Sequence, residues 1–509
     1  MNENLALNLE TMVRRQPDHP ALRLGAAVIS YGELDAMASK AAGLLREHGV
    51  GADDRVGIML PNVPSFPAVY YGVLRIGATV VPMNVLLKER EVAFYLGDSG
   101  ARIVFAWHEF AGEAQKGATS AGAESISVAP GEFDRLLAEA PQVPEVAQRN
   151  GRDTAVILYT SGTTGKPKGA ELTHANLRRN ADATVHLMSL TADSVVLGAL
   201  PLFHAFGQTC SMNGVVRSGG CLTLIPRFDP QLVLQTIQGD RVTVFQGVPT
   251  MYSALLHHQK REEFDTSSLK LCVSGGTALP VEVLRGFEKA FNCKVLEGYG
   301  LSETSPVASF NTVEKGQKPG SIGTPIEGVE MRIVDDNRKP VAPGGVGEIA
   351  IRGHNVMKGY WNRPDATASA IDADGWFYTG DVARVDEDGY YFIVDRKKDL
   401  IIRGGFNIYP REIEEVIYEH PAVREAAVVG IPHADLGEEV GAAIVLKEGA
   451  AATEAEIRDF VKSRVAAYKY PRHVWFADAL PKGPTGKILK REIKAPAAVV
   501  GGSAPAPSS

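Results

Sequence analysis

The sequence predicts an α/β fold in which strand–helix layers are followed by an antiparallel β region and then by a small α+β unit. Three observations carry this. Short apolar strand runs alternate with helical patterns from about residue 55 to residue 300, the turns change to D-x-D-G and P-G-G after about residue 320, and a fresh strand–helix unit starts after about residue 398. Strands alternating with helices imply a parallel sheet, because each crossover needs a helix to return the chain. D-x-D-G and P-G-G punctuate hairpins instead.

Taken in order, VGIML (56–60) precedes a helical stretch near 64–76, VVPMN (80–84) precedes another at 88–98, and IVFAW (103–107) follows. The rhythm resumes with VILYT (156–160), which leads through a glycine-rich stretch toward a helix at 175–188, and then with CLTLI (221–225), VTVFQ (242–246) and LKLCVS (269–274). VEMRIVDD (329–336), GEIAIRG (347–353) and YYFIVD (390–395) form the β region, about 320–397. In the last unit Pro410 opens a helix whose apolar residues Ile413, Val416 and Ile417 share one face, with Pro421 just past its end. Strands AAVVGI (426–431) and AAIVLK (442–447) come next, and Thr453 with Glu456 forms a capping-box pattern ahead of Ile457, Phe460 and Val461. The small-residue and proline-rich end, 495–509, is expected to be disordered.

Composition narrows the function classes. The chain has 509 residues, 45% hydrophobic and 22% charged, with a net charge of −7. A mildly acidic chain is a poor generic binder of nucleic acid, so any phosphate chemistry must use a few local cations. Cys210, Cys221, Cys272 and Cys293 stand singly in the sequence, without a C-x-x-C pair, which argues against a zinc site or a disulfide framework and for a reduced, cytoplasmic setting. No basic leader and no apolar run of membrane-spanning length is present.

The strongest local signal is YTSGTTGKPKG, Tyr159 to Gly169. Glycines allow backbone N–H groups to converge on an anion, and hydroxyls and lysines add donors. The segment fails the Walker pattern: only two residues separate Gly162 from Gly165, and Pro167 follows Lys166. From the residues alone, a solvated loop and a phosphate cradle both remain open.

In order along the chain, ISYGEL (29–34), RIGATVVPMN (75–84), TSGTTGKPKG (160–169), PLFHAFG (201–207), GYGLSET (298–304), GEIAIRG (347–353), GWFYTGD (375–381), DRKKDLIIRGGFNIYPREIE (395–414) and GPTGKILKREI (483–493) resemble the motifs of the adenylate-forming superfamily. That superfamily comprises acyl-CoA synthetases, peptide-synthetase adenylation domains and luciferases, and the likeness is greatest to bacterial fatty-acid CoA ligases. The resemblance implies a large part (1–397), a mobile C-terminal lid domain (398–494) and a tail (495–509). It also implies two half-reactions, in which a carboxylate attacks the α-phosphate of ATP and a thiol, of CoA or of an acyl-carrier protein, then takes the acyl group. ATP, Mg²⁺ and CoA are the expected cofactors and co-substrates, and a homodimer is left open.

Residue roles follow from the same resemblance. Thr160, Ser161, Gly162, Thr163, Thr164, Gly165, Lys166 and Lys168 would hold phosphates, and Thr160 and Glu303 would hold the metal. Gly275, Gly276 and Thr277, in VSGGTAL (273–279), would wall the adenine, with Glu297, Gly298, Tyr299, Gly300 and Ser302 beside them. Tyr299 would stack on the base, and Gly298 and Gly300 would permit close approach. Asp381 would accept from the ribose, and Arg396 would reach the ribose or α-phosphate. Lys398 would be the hinge, beside the nucleotide. Lys487 would bridge the carboxylate and α-phosphate, making Lys487, His204 and Arg396 the catalytic set. Phe203, His204, Gly207, Met212, Val248, Gly276 and Gly298 would shape the acid site. Arg403, Gly404, Gly405 and Asn407 would line the CoA path after the lid rotates.

The acid is expected to be an apolar monocarboxylate. HAFGQTCSMN (204–213) and FQGVPTMYSAL (245–255) are apolar with small residues, and Gly298 leaves uncharged, open space where dicarboxylate ligases of the superfamily often place an Arg. A medium- or long-chain fatty acid is the first expectation and an aryl or cinnamate-type acid the alternative.

Overall fold

The computed structural model describes residues 2–160, 167–342, 344–396, 399–433 and 435–496. Two large sheets dominate. Among the described residues one has seven strands and is parallel across Thr79–Pro82, Arg55–Met59, Ala101–Trp107 and Glu124–Val128. The other has nine, with Val195–Gly198, Cys221–Leu224, Val244–Gly247, Leu271–Ser274 and Lys294–Gly300 parallel at its centre. Every residue of the central strands Thr79–Pro82, Cys221–Leu224 and Val244–Gly247 is buried, because both faces are covered. Helix Ser65–Arg75 is apolar nearly all round, and Phe66 through Arg75 are buried. A helix of that kind has to lie inside the molecule.

The glycine-rich stretch does not join a strand to a helix. Strand Lys168–Thr173 intervenes and pairs antiparallel with Thr154–Thr160, with Tyr159 opposite Gly169 and Thr160 opposite Lys168. Residues 161–166 therefore connect the two arms of a β-hairpin, and the next helix, His174–Leu187, begins with Thr173 as its cap. The first 50 residues, for which no strand–helix rhythm was expected, also take part. Hairpin Pro20–Leu24 and Ala27–Ser30 extends the nine-stranded sheet beside Cys221–Leu224, and Ser30 with Glu33 makes a capping box on helix Tyr31–Glu47.

The β region is a four-stranded antiparallel sheet, Val329–Val334, Val346–Gly353, Phe377–Val385 and Tyr391–Arg396. Beyond it, Val423–His433 and Gly437–Leu446 form a long hairpin flanked by Ile401–Arg403, Phe406–Ile408 and His473–Phe476. Helices Pro410–Tyr418 and Glu454–Lys462 supply Ile413, Ile417, Ile457 and Val461 to that unit's own core. Its seam with the rest of the chain combines hydrogen bonds with an apolar contact. Arg411 donates to the carbonyls of Gly320 (3.3 Å) and Ile393 (2.8 Å), and Val281 N–H donates to Glu415 (3.3 Å). Tyr418 packs against the apolar cluster that holds Val283, Phe287 and Phe291. No helix among the described residues is long and apolar enough to cross a membrane.

One buried group makes the fold acid-sensitive. Leu5 N–H donates to Nδ1 of the buried His174 at 3.0 Å, so that ring nitrogen carries no proton. Burial, reinforced by the positive charge of Arg149, pushes the His174 pKa down to about 3. The unfolded chain therefore takes up a proton, below its ordinary histidine pKa of about 6.5, that the folded chain refuses. Stability is expected to fall between about pH 6.5 and 3, by up to about 1.4 kcal/mol per pH unit for this group. The melting temperature of His174→Gln is expected to start lower at pH 7 but to decline less steeply down to pH 4.5. Equal slopes in the two proteins would exclude His174 as the source.

Candidate active site

A cavity of about 790 Å³ lies where the nine-stranded sheet, the 154–173 hairpin, the antiparallel sheet and the lid loop 483–491 meet. The C-terminal ends of parallel strands open into it, the usual position for ligands in open α/β sheets. Of the residues singled out from the sequence it brings together Thr160, Lys168, Phe203, His204, Val248, Gly275, Gly276, Gly298, Tyr299, Gly300, Ser302, Glu303, Asp381, Arg396 and Lys487. Ser161, Gly162, Thr163, Thr164, Gly165, Lys166 and Lys398 lie outside the described residues.

Tyr299, Asp381 and Arg396 form one unit. Tyr299 hydroxyl donates to Asp381 Oδ2 at 2.7 Å, and Arg396 Nε lies 2.9 Å from Asp381 Oδ1. Asp381 and Arg396 are direct cross-strand partners, so the antiparallel register itself sets this pair. Asp381 is buried, and among the described residues each of its oxygens has one partner, which leaves a lone pair for a ligand hydroxyl. The Tyr299 ring is thereby held against the cavity wall.

Glu303 sits in the turn Ser302–Thr304, buried, and accepts from Thr160 hydroxyl at 3.3 Å. A carboxylate beside a hydroxyl is a hard-oxygen pair of the type Mg²⁺ uses when phosphates and water complete its shell. The donor set fits that ion. Lys487 reaches the cavity from the lid loop, its Nζ 3.4 Å from Gly276 carbonyl oxygen. Thr250 hydroxyl donates to Gly486 carbonyl at 2.8 Å and pins the loop to the large part. His204 is half-buried near this lysine. Burial first, and then the lysine charge, push its pKa down to about 4. Phe206 N–H donates to its Nδ1 at 3.3 Å. At neutral pH His204 is therefore uncharged with its proton on Nε2, a shape-setting group and not a strong base.

Several expectations are corrected. Gly207 and Met212 do not line the cavity. Both belong to an eight-residue π-helix, Phe206–Asn213, in which Phe206 and Cys210 turn toward the cavity and Met212 packs in the core. Gly207 is needed because a Cβ there would lie 2.4 Å from Pro201 carbonyl oxygen. The glycines flanking Tyr299 also serve the protein's own packing: a Cβ on Gly300 would meet Pro306 oxygen at 1.9 Å, and one on Gly298 would meet the Phe310 ring at 2.7 Å. Gly298 thus leaves the wall uncharged but not open, since Phe310 fills the space.

Thr277 and Glu297 lie in a neighbouring cavity of about 220 Å³, outside the lining of the main one. Glu297 accepts from Leu279 N–H (3.1 Å) and Gly320 N–H (3.3 Å), tying the 275–280 wall to the 320 loop. Burial pushes its pKa up to about 7. Arg403, Gly404, Gly405 and Asn407 line neither cavity. Arg403 makes a two-pronged pair with buried Glu439 (2.6 and 2.9 Å).

Sequence reasoning also missed residues. Met188, Phe206, Cys210 and Phe310 line the apolar end, and Tyr360 stands beside Glu303 and Lys168. Tyr360 follows V-M-K-G in a short tract with no chemical signature of its own.

The model of AMP-binding enzymes matches residues 9–361, and that of the AMP-binding enzyme C-terminal domain matches residues 412–487. A long-chain-fatty-acid–CoA ligase of Bacillus subtilis (strain 168) is 38% identical, across 97% of this chain and 94% of the relative. A feruloyl-CoA synthase of an Amycolatopsis species is also 38% identical, across 94% and 96%. The crystal structure of ATP-bound MatB from Rhodopseudomonas palustris superposes with a TM-score of 0.90 at 35% identity, covering 96% of this chain and 98% of that one. This chain belongs to the AMP-binding enzyme family and is an ATP-dependent, AMP-forming acyl-CoA ligase.

Proposed function

We propose that the enzyme activates an apolar monocarboxylic acid, of the medium- or long-chain fatty class, as its acyl-adenylate and transfers the acyl group to CoA. The observation that carries the substrate class is the apolar end of the main cavity. Met188, Phe206, Cys210, Val273 and Phe310 line it, and among the described residues the one charge that bears on the neutral His204 is that of Lys487. An ω-carboxylate or an ammonium group would be buried there without a counter-charge, at a cost of several kcal/mol.

In this reading Thr160, Lys168 and the 161–166 segment hold the ATP phosphates, and Gly275, Gly276 and Tyr299 flank adenine. Asp381 accepts from the ribose, with Arg396 holding the Asp381 carboxylate in place. Glu303 and Thr160 would hold Mg²⁺, which supplies charge neutralisation at the phosphates when bound. Lys487 lies between the acid carboxylate and the α-phosphate. The carboxylate oxygen bonds to α-phosphorus as the bond to the β-phosphate oxygen breaks and pyrophosphate leaves. The CoA sulfur then bonds to the acyl carbon and AMP leaves. The second step needs the lid to turn, withdrawing Lys487 and bringing in residues 403–407. Their position outside the cavity, together with the hydrogen bonds along the seam, supports a large part ending near 397 and a lid from 398 onward.

The aryl-acid reading has one specific observation in its favour: Phe206 stands over Gly275 and Phe310 over Gly298, so two rings narrow the acid end. A turnover panel of C4–C18 acids, benzoate and cinnamate separates the two. For a fatty-acid ligase each added methylene is expected to raise kcat/KM about fourfold, the equivalent of about 0.8 kcal/mol, until the pocket is full. Phe310→Ala is expected to move that limit to longer chains. Aryl acids exceeding every straight-chain acid in the wild-type enzyme would overturn the fatty-acid assignment. The same assay with CoA and with an acyl-carrier protein identifies the acceptor.

A further inference from the structure

The segment 357–361 is stitched to two parts of the nucleotide site at once. Met357 N–H donates to Glu303 carbonyl oxygen at 2.8 Å. Gly359–Tyr360 pairs antiparallel with Lys168–Thr173, Tyr360 opposite Ala170, and Trp361 N–H donates to Gly169 carbonyl at 2.7 Å. Tyr360 N–H donates to Thr367 hydroxyl at 2.9 Å, which fixes its own backbone. The side chain is thereby placed between Glu303 and Lys168. Its hydroxyl donates to Glu303 Oε1 at 3.0 Å, the same oxygen that accepts from Thr160, and Lys168 Nζ lies 5.0 Å from its ring centroid.

Both hydrogen bonds fall on one carboxylate oxygen, so Oε2 of Glu303 has no hydrogen-bond partner among the described residues. We propose that Tyr360 is a positioning residue for the metal–nucleotide complex, locking Glu303 through Oε1 so that Oε2 is kept for the divalent cation while its ring seats the Lys168 ammonium. The inference rests on the assignment of Glu303 as the metal-holding carboxylate.

A merely structural tyrosine would affect every ligand and the fold alike, whereas a positioning one would affect the metal complex selectively. Calorimetric titration of ATP into wild type and Tyr360→Phe, in Mg²⁺ and again in EDTA, distinguishes these. The phenylalanine variant is expected to lose about tenfold in affinity for Mg·ATP, the scale of a hydrogen bond to a charged group, and to bind metal-free ATP within about twofold of wild type. Tyr360→Leu also removes the ring and is expected to lose a further two- to fivefold in both conditions, as the cation–π seat of Lys168 goes. Melting curves of the unliganded variants report folding separately. Unchanged Mg·ATP affinity in Tyr360→Phe, or equal losses with and without Mg²⁺, would overturn the proposal while leaving Glu303 in place. A wild-type chain that binds ATP equally in Mg²⁺ and EDTA would overturn the Glu303 assignment and this inference together. If Tyr360→Phe does not fold, Tyr360→Met takes its place: it also lacks the hydroxyl donor, so a loss confined to Mg·ATP is expected, and unchanged Mg·ATP affinity or equal losses in the two conditions would reject the inference.

Discussion

Lys487→Ala is expected to lower acyl-adenylate formation by about 10²–10³-fold, the usual consequence of removing one preorganised donor from a developing charge. The first half-reaction brings two anions together, and this lysine enters the cavity from the lid at the point where carboxylate and α-phosphate would meet. Its loop is held by Thr250, through Gly486, and by the Gly483–Lys487 and Pro481–Leu489 backbone bonds, none of which uses the lysine side chain. The variant should therefore fold and dock its lid normally. The effect should also be confined to one half-reaction: pyrophosphate release falls, while thioester formation from added acyl-AMP and CoA stays within a few-fold of wild type. Undiminished pyrophosphate release, or equal losses in both steps, would remove Lys487 from the proposed role.

Glu303→Gln is the second large effect. The substitution keeps shape and retains an acceptor for Tyr360 and Thr160, so it removes charge with little change in packing. If Glu303 holds the cation, adenylation is expected to fall by about 10²–10³-fold, or about 3–4 kcal/mol. The Mg²⁺ concentration for half-maximal rate should rise as well, whereas ATP binding in EDTA should stay close to wild type. A variant with an unaltered Mg²⁺ requirement would show that the ion is held elsewhere.

These two residues illustrate how far one-dimensional reading carries. In isolation Lys487 is a lysine in a Gly/Pro loop and Glu303 a carboxylate after a serine. Only the ordered set of motifs distinguishes them, and the structure then brings both to one cavity although 184 positions separate them. The misassigned residues share a cause. Met212 and Gly207 sit in a π-helix, where local repacking and not apolar content decides which side chain faces the ligand, and Cys210 takes the place expected for Met212. For Gly298 and Gly300 the sequence did not show a second reason, because the groups that fill their missing Cβ space, Phe310 and Pro306, come from the next strand and its turn. Arg403 pairs with a glutamate 36 residues away, which no motif signals.

By itself the sequence determined the strand–helix rhythm, the change to antiparallel strands after residue 320 and the helix starts at Pro410 and after the Thr453 cap. All of these depend on interactions a few residues apart, namely periodicity, turn chemistry and capping. Tertiary structure alone decided that Thr154–Thr160 and Lys168–Thr173 pair antiparallel, that Asp381 is gripped by both Tyr299 and Arg396, that Tyr360 stands behind Glu303, and that Lys487 is inside the cavity while residues 403–407 are outside it. Those facts depend on sheet register and on how the lid docks. Both are set by contacts between segments tens to hundreds of residues apart, and a residue's own neighbours in sequence do not encode them.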